Sequence, residues 1–337
     1  MNLNVYLDAK RVEKGKKLPS THTSIPGLGV PAGAYDIPEV ELEKFYKIYY
    51  TEVFDKKKQA HLTEKQQEDG PILLDFDFNY STDIDERIHT DKDIRDMMDG
   101  YLDQLKSLLK FDGTEGKFPV YIFQKQSVTK ENTRTKDGIH MIIGINTKRS
   151  IQIMLRERML NEVENIWGHM KDALINTWEE VLDNAIVSGS NNWQLYGSCK
   201  PGKQAYELYK IYDCMYDKDD DEFISDNINL TDFNVKNNFS KLSAQYKDHI
   251  NLYINEDVRD EFEKMETQRD NIKKKKRAQI INNVPSGNTV VPFNTINNDE
   301  MLQNQLDLLF DRKRVDKMPA DYKLEEIHDY TMILPET

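Results

Sequence analysis

The sequence predicts an α+β fold in which an antiparallel sheet is flanked by helices and followed by a helical C-terminal appendage. Short apolar segments bounded by turn residues indicate buried strands, and two longer segments carry apolar residues at helical spacing. Strands and helices follow one another in mixed order, which favours an α+β arrangement over a doubly wound parallel sheet.

The composition is typical of a globular chain that is acidic overall but contains local basic clusters. Its 337 residues suit one sizeable catalytic unit and an appendage. A formal net charge of -13 argues against a protein coated in nucleic acid, because binding to the phosphate backbone depends on Lys and Arg. Basic clusters at 56–58, at Lys200 and Lys203, and at 273–277 still allow a local basic groove.

No apolar run is long enough to cross a bilayer, and the N-terminus lacks the features of a secretory signal. We therefore expect an intracellular, soluble protein that does not contact a membrane. Cys199 and Cys214 have no further Cys or His nearby at zinc-ligand spacing, so we expect two reduced thiols.

The first third of the chain predicts a loop region, a helix and a strand. Residues 1–40 are punctuated by Pro and Gly and are expected to be extended or looped. Residues 39–54 have apolar and aromatic residues at helical spacing. Residues 72–78 form a short apolar run after a Gly-Pro pair, which indicates a buried, central strand.

The next segments predict a helix and a pair of strands. Residues 91–110 place their apolar side chains on one helical face, with Asp91 as the expected N-cap. Residues 120–124 and 139–145 are typical of two strands joined by a polar loop, which predicts a hairpin-like pair.

A long helical region from 151 to about 180 is expected to break near Trp167. Three short, turn-bounded apolar segments after it, at 181–187, 193–196 and 206–212, predict further strands.

The C-terminal quarter differs in character from the rest. A charged helix at 256–282 precedes a Pro, Gly and Asn-rich linker at 283–298, and a short amphipathic helix is predicted at 299–312. We expect the tail to have been cut from a longer protein. The predicted domains are a catalytic domain at 1–255, a charged helix and linker at 256–298, and the start of a helical module at 299–337.

Asp75 and Asp77 lie two residues apart in the predicted strand, so both carboxylates point to one face while Leu74, Phe76 and Phe78 enter the core. Two neighbouring carboxylates suit one or two hard divalent ions, Mg²⁺ or Mn²⁺. The alternative is an exposed edge strand with two solvated acids. The flanking apolar run argues against it, since burying unpaired carboxylates is costly.

His140 lies on the polar face of another predicted strand. A lone His on a strand is more often structural than functional. Gly138 and Lys136 on the same face favour a functional role, because Gly lets a ligand approach the backbone closely and Lys carries a positive charge. The three positions are a candidate shelf for a triphosphate.

Asp183 lies within an apolar stretch, where it is either a capping or turn residue or a third ligand that joins the first two acids. Lys200 follows a Gly-Ser turn. As a flexible point charge it could pair with a phosphate.

These residues resemble, in order, three motifs of the archaeo-eukaryotic primases, in particular the group shared by PrimPol-type enzymes and the primase-helicases of large DNA viruses. The segment at 73–78 resembles the first motif, an apolar strand with two acids one residue apart. The segment at 138–140 resembles the second, in which a small residue, often Ser, precedes His by two positions. Leu182 and Asp183 resemble the third, and the segment ending at Lys200 resembles the viral group's continuation, which ends in a nucleotide-binding Lys.

The resemblance covers roughly residues 20–215 and departs from the family pattern in two places. Gly138 stands where Ser is frequent, so a hydroxyl contact to a phosphate is absent. Asn191 or Gln194 stands where a basic residue is often found. The resemblance implies an RRM-like antiparallel sheet, cracked into two parts and flanked by helices, with a metal site in the cleft.

It also implies a DNA primase or primase-polymerase that makes primers at the site of viral DNA replication, as the N-terminal part of a primase-helicase. Its implied partners are a single-stranded DNA template, nucleoside triphosphates and a helicase domain. The implied catalytic and metal ligands, for two Mg²⁺ or Mn²⁺ ions, are Asp75, Asp77 and Asp183. The implied nucleotide-binding residues are Lys136, Gly138, His140 and Lys200.

Other functions stay open on the residues alone. Clustered acids and a His serve metal-dependent nucleases equally well. A sugar-nucleotide transferase is disfavoured, because its Asp-x-Asp acids usually stand in a loop. A non-catalytic nucleic-acid-binding or helicase-loading module would use the acids structurally, with the charged helix from Glu256 contacting partners.

Overall fold

The computed structural model describes residues 2–13 and 19–282, with side chains as far as residue 275. Residues 1–272 form one compact unit, and a second unit, 273–337, lies largely outside the described residues. In the ranges that are described, no helix combines the length and the apolar character needed to span a membrane. The predicted linker at 283–298 and the predicted helix at 299–312 also lie outside them.

The described residues form seven α-helices, eleven strands and several short turns of other helix types. The α-helices are α1 (Leu3–Ala9), α2 (Leu42–Tyr50), α3 (Asp91–Leu108), α4 (Arg149–Trp167), α5 (Trp178–Val181), α6 (Asn184–Val187) and α7 (Arg259–Asn282). The strands are β1 (His22–Ser24), β2 (Gly33–Tyr35), β3 (Leu62–Glu64), β4 (Asp69–Tyr80), β5 (Phe118–Gln124), β6 (Thr129–Lys130), β7 (Thr135–Lys148), β8 (Trp193–Gln194), β9 (Glu207–Asp217), β10 (Glu222–Ile228) and β11 (Ile250–Asn251). The 3-10 helices are Glu39–Glu41, Gly168–Ala173, Phe239–Leu242 and Glu256–Val258, and a π-helical turn spans Thr51–Asp55.

The larger sheet is built around β7. Its long strands lie in the order β10-β9-β5-β7-β4, with every neighbouring pair antiparallel, and the short strands β6 and β11 also pair with β7. Ile143 of β7 lies opposite both Ile72 of β4 and Val120 of β5. From β4 to β9 the long elements follow the β-α-β-β-α-β order of RRM-like folds. The predicted α+β fold with antiparallel sheets and flanking helices is confirmed.

Helices α3 and α4 cover one face of this sheet. Phe76 and Phe78 of β4 point to that face, and each ring centre lies 5.2 Å from that of Trp167 at the end of α4. The break predicted near Trp167 is confirmed, because α4 ends there and a 3-10 helix follows. The opposite face of β4 is thereby left to Asp75 and Asp77.

The start of α3 differs from the prediction by one residue. Thr90 is the N-cap, and it forms a capping box with Asp93, whose side chain accepts a 2.7 Å hydrogen bond from the Thr90 backbone N–H. The carboxylate of Asp91 instead lies 2.7 Å from the Lys210 ammonium on β9. The cap position is therefore set by the reciprocal Thr and Asp pair.

A smaller antiparallel sheet has the order β2-β1-β3-β8, and α2 packs beside it. The strand predicted at 193–196 is real but shorter, and it belongs to this sheet, because β8 pairs with β3. The helix predicted at 39–54 is confirmed by α2 and its flanking turns. Residues 1–40 are not all loop, since α1 forms where Asn2 caps the Val5 N–H at 2.9 Å and Tyr6 is buried.

β4 is not a central strand. Among the described strands it pairs with β7 alone, and its other edge is covered by residues 174–183. The Asn176 side chain donates to the carbonyl of Asp77 at 2.9 Å and accepts from the N–H of Asn79 at 3.1 Å. A buried edge needs such partners for its backbone groups, so this segment completes the sheet without being a full strand.

The prediction of a strand at 181–187 is wrong. Val181 ends α5, Leu182 makes a single bridge to Phe76, and Asp183 caps the short helix α6. The apolar residues of this stretch are buried because the segment crosses the edge of β4. The strand predicted at 206–212 is confirmed by β9, which is longer.

The predicted charged helix is confirmed as a 3-10 turn followed by α7. Its first part packs on the compact unit, where Phe262 is buried and Arg269 pairs with Glu68 and with Glu266. The division of the chain at 255 and 298 stays a prediction.

Candidate active site

Asp75 and Asp77 project from β4 into the space on the side of the sheet away from α3 and α4. Both side chains are partly exposed, while Leu74, Phe76 and Phe78 between and beside them are buried. The predicted two-residue alternation is confirmed. In register, Asp75 lies opposite His140 and Asp77 opposite Gly138 on β7.

Asp183 joins these two acids because of how its backbone is held. Its N–H donates a 3.0 Å hydrogen bond to the Asp75 carbonyl, and Arg156 of α4 donates a 2.8 Å hydrogen bond to the carbonyl of Leu182. One carboxylate oxygen of Asp183 also caps α6 by accepting from the Ala185 N–H at 2.8 Å. It is thus both a cap and a member of the acidic cluster.

The three carboxylates form a site that suits a cation. One oxygen from each of Asp75, Asp77 and Asp183 can be chosen so that all lie within 4.8 Å of one another. Burial, followed by the charges of Asp77 and Asp183, raises the pKa of Asp75 well above its usual value. Its Oδ1 is buried and accepts no hydrogen bond from any residue that the structure describes. A buried carboxylate oxygen that lacks a donor suits a divalent ion, which would coordinate it and balance its charge.

His140 lies beside this cluster in an aromatic stack. Its ring centre is 3.6 Å from that of Tyr206 and 4.4 Å from that of Trp193. Burial is the main cause that lowers the pKa of His140 well below its usual value, so the ring is neutral. Its Nε2 lies 3.5 Å from Asp75 Oδ1, a polar contact rather than an ion pair.

The structure explains why position 138 is a glycine, which the sequence pattern does not reveal. A Cβ atom at this position would lie 2.5 Å from the Tyr206 hydroxyl and 2.9 Å from the Phe76 carbonyl oxygen. The glycine therefore makes room for Tyr206, which reaches over β7 from the start of β9.

The two predicted lysines lie at different places. Lys200 acts on the pKa values of both Asp75 and His140, so it is close to the acidic cluster. Lys136 lies opposite Asn79, one step further along β7, and it acts on the pKa of Glu131. Lys200 is thus part of the cluster's surroundings, whereas the contact shown for Lys136 is with Glu131.

The loop that carries Lys200 is held by the smaller sheet and by α2. The Ser198 hydroxyl accepts a 3.0 Å hydrogen bond from the Leu62 N–H and lies 2.7 Å from the Tyr49 hydroxyl. Gly197 has φ of 84°, and a Cβ there would lie 2.6 Å from the Phe54 ring. The loop therefore depends on Gly197 both for its turn and for its fit against the π-helical turn that follows α2.

Lys125 is a site residue that the sequence did not reveal. It directly follows β5, and Asp77 and Asp75 both act on its pKa, which burial lowers. The only available signal was its place immediately after a strand predicted to pair with the strand of His140. A single Lys at a strand end is too common for that signal to single it out.

The fold and the site together define a class: an antiparallel α+β domain with a three-carboxylate cluster of metal-binding type beside His140, whose ring contacts Trp193 of the smaller sheet. Residues 21–212 match the sequence model of the C962R protein N-terminal AEP domain. The chain therefore belongs to the archaeo-eukaryotic primase family, and the predicted family is confirmed. It is also 31% identical over 198 residues to the helicase-named protein L207/L206 of Acanthamoeba polyphaga mimivirus. That alignment covers 58% of this chain and 20% of the viral protein, so the chain spans about a fifth of its relative.

Proposed function

We propose that this domain is a DNA primase or primase-polymerase that performs template-directed nucleotidyl transfer. The observation that carries the proposal is the cluster of Asp75, Asp77 and Asp183, whose ligand oxygens lie within 4.8 Å of one another beside two lysines. Carboxylates in this arrangement suit a pair of divalent ions, and the neighbouring positive charges suit a triphosphate.

In the proposed mechanism, the three aspartates would hold two ions, Mg²⁺ or Mn²⁺. Such ions would stabilise the developing charge and activate the 3′-hydroxyl, whose oxygen bonds to the α-phosphate as the bond to the departing pyrophosphate breaks. No side-chain nucleophile is required. The other residues act by binding and orienting the triphosphate. These nucleotide-binding residues are Lys136, Gly138, His140 and Lys200.

The proposed substrates are nucleoside triphosphates and a single-stranded DNA template, which would follow a local basic groove rather than the acidic surface. A helicase domain elsewhere in a longer chain is the proposed partner, and primer synthesis in viral DNA replication is the proposed role. The support for both is the family and the helicase-named mimivirus relative.

The test is incubation of the chain with single-stranded DNA, labelled ribo- or deoxynucleotides and Mn²⁺ or Mg²⁺. We expect labelled oligonucleotides from the wild type and a loss of at least about 100-fold when Asp75→Asn is combined with Asp77→Asn. The matched control is Asp103→Asn, since Asp103 lies exposed on α3. Absence of product from the wild type in either metal, or equal product from the double variant, would contradict the proposal.

The same reactions separate the rival functions. Degradation of the DNA without nucleotides would indicate a nuclease. Stoichiometric binding of DNA that EDTA does not change, without turnover, would indicate a non-catalytic module.

A further inference from the structure

Lys125 places a positive charge beside the acidic cluster. Its ammonium lies 4.6 Å from the centre of the Tyr206 ring. Within the described part of the chain it forms no ion pair with a carboxylate, in contrast to Lys130 five residues later, which pairs with Asp85. A half-buried ammonium in this condition is costly unless an anion joins it.

Lys125 is held both at its backbone carbonyl and at its side-chain ammonium group. Its carbonyl oxygen accepts a 2.8 Å hydrogen bond from Arg87. That guanidinium is itself held by both oxygens of the buried Asp137, at 2.7 and 3.0 Å. At the other end the ammonium rests on Tyr206, in a cation–π contact.

Tyr206 is in turn held in place by two residues of β7. Its ring stacks on His140 at 3.6 Å, and it occupies the space that Gly138 leaves open. The lysine, the tyrosine and the histidine therefore form one continuous stack that ends at Asp75, 3.5 Å from His140 Nε2. This stack holds the Lys125 charge near the carboxylates of Asp77 and Asp75, which both act on its pKa.

The charges then indicate the kind of ligand. Lys125 and Lys200 both act to lower the pKa of Asp75, so both lie near the acidic cluster. Once divalent ions occupy the carboxylates, the two ammonium groups face a region that is positive overall. A group with several anionic oxygens, such as a triphosphate, suits that region because charge-assisted hydrogen bonds to it are strong.

We propose that Lys125, supported by the Tyr206 ring, binds the terminal phosphates of the nucleoside triphosphate in this site. This inference rests on the proposed function. It adds a phosphate-binding residue that lies outside the three motif segments and a tyrosine that positions it.

The test is the equilibrium affinity of the whole chain for ATP and dATP, compared with AMP and dAMP, in Mg²⁺ and without template. We expect Lys125→Ala to weaken triphosphate binding about 10- to 100-fold, the usual effect of losing a hydrogen bond to a charged group. Binding of the monophosphates should change less than about twofold, which is far less than the tenfold change that 1.4 kcal/mol represents. Lys125→Arg should recover most of the triphosphate affinity, because it keeps the charge and the aromatic contact.

Lys130→Ala is the matched control, since it removes a nearby lysine, in β6, that already has a carboxylate partner. If Lys125 only offsets the charge of the carboxylates, Lys125→Ala will shift Tm or metal affinity and leave the ratio of triphosphate to monophosphate affinity unchanged. That result would overturn the inference while leaving the proposed function in place. A wild type that binds none of the four nucleotides would instead overturn the proposed function, and this inference with it.

Discussion

The backbone N–H of Asp183 donates a 3.0 Å hydrogen bond to the carbonyl oxygen of Asp75. Two residues that are far apart in sequence are thereby joined at the edge of β4. The bond belongs to the set by which residues 174–183 satisfy the buried edge of the strand. The requirement to pair backbone groups at that edge is thus the physical reason that the third carboxylate reaches the first two.

Divalent cations should stabilise this chain through the acidic cluster. Saturation at 100 times Kd corresponds to about 2.7 kcal/mol. Asp75→Asn should raise the Tm of the metal-free protein, because burial and the charges of Asp77 and Asp183 raise the pKa of Asp75 and make its ionised form unfavourable. The same variant should lose most of the Tm increase that Mn²⁺ gives the wild type. Thermal unfolding in EDTA and in Mn²⁺ measures both effects, with Asp103→Asn as control. An undiminished Mn²⁺ shift in Asp75→Asn would count against the cluster as the metal site.

Glu64 should make the stability of the fold depend on pH. Its carboxylate accepts hydrogen bonds from Ser243 and from the Ala244 N–H at 2.9 Å, but burial raises its pKa from 4.5 to about 7. The folded state therefore keeps a proton that the unfolded chain has already released. Stability should fall as pH rises from about 4.5 to 7, by about 3 kcal/mol at most.

Glu64→Gln cannot titrate and should remove that part of the slope. Urea unfolding at pH 5 and pH 7.5 measures the difference, and the exposed Glu43 on α2 provides the control variant Glu43→Gln. A wild type and a Glu64→Gln protein with the same pH dependence would show that Glu64 titrates normally.

Gly138→Ala should destabilise the protein by about 1–3 kcal/mol, because the new methyl group would overlap the Tyr206 hydroxyl and the Phe76 carbonyl. Displacement of Tyr206 should also disturb its stack on His140. Gly168→Ala is the matched control, since a Cβ there meets Glu164 at an ordinary 3.6 Å. Chemical denaturation of the two variants is the measurement, and equal stabilities would refute the packing role of Gly138.

Part of the site could be predicted because it depends on local patterns. The alternation of side chains along a strand is enough to place Asp75 and Asp77 together, and an apolar residue before Asp183 matched a motif. Tyr206 and Lys125 could not be found in this way. Their roles depend on β5 lying between β9 and β7 in the sheet, and no local pattern encodes that order.

The same limit explains the errors in the fold. The apolar run of β4 is typical of a central strand, yet its burial comes from residues 174–183 lying along one edge. The apolar residues at 181–187 have the composition of a strand, but Asp183 starts a helix by capping α6. Composition predicts that a segment is buried, whereas tertiary contacts decide which element buries it.

Asp183→Asn tests the central claim most directly, because it separates the two roles of this residue. Asn caps helices as well as Asp does, so the hydrogen bond to Ala185 and the fold should persist. The variant also loses a charge that disfavours the ionised form of Asp75, so its Tm in EDTA should equal or exceed that of the wild type. Only the charge of the proposed third metal ligand is removed. The measurement is incorporation of labelled nucleotide on single-stranded DNA in Mn²⁺. We predict a loss of at least about 100-fold relative to the wild type. Incorporation at the wild-type level by a correctly folded Asp183→Asn protein would contradict nucleotidyl transfer at this cluster.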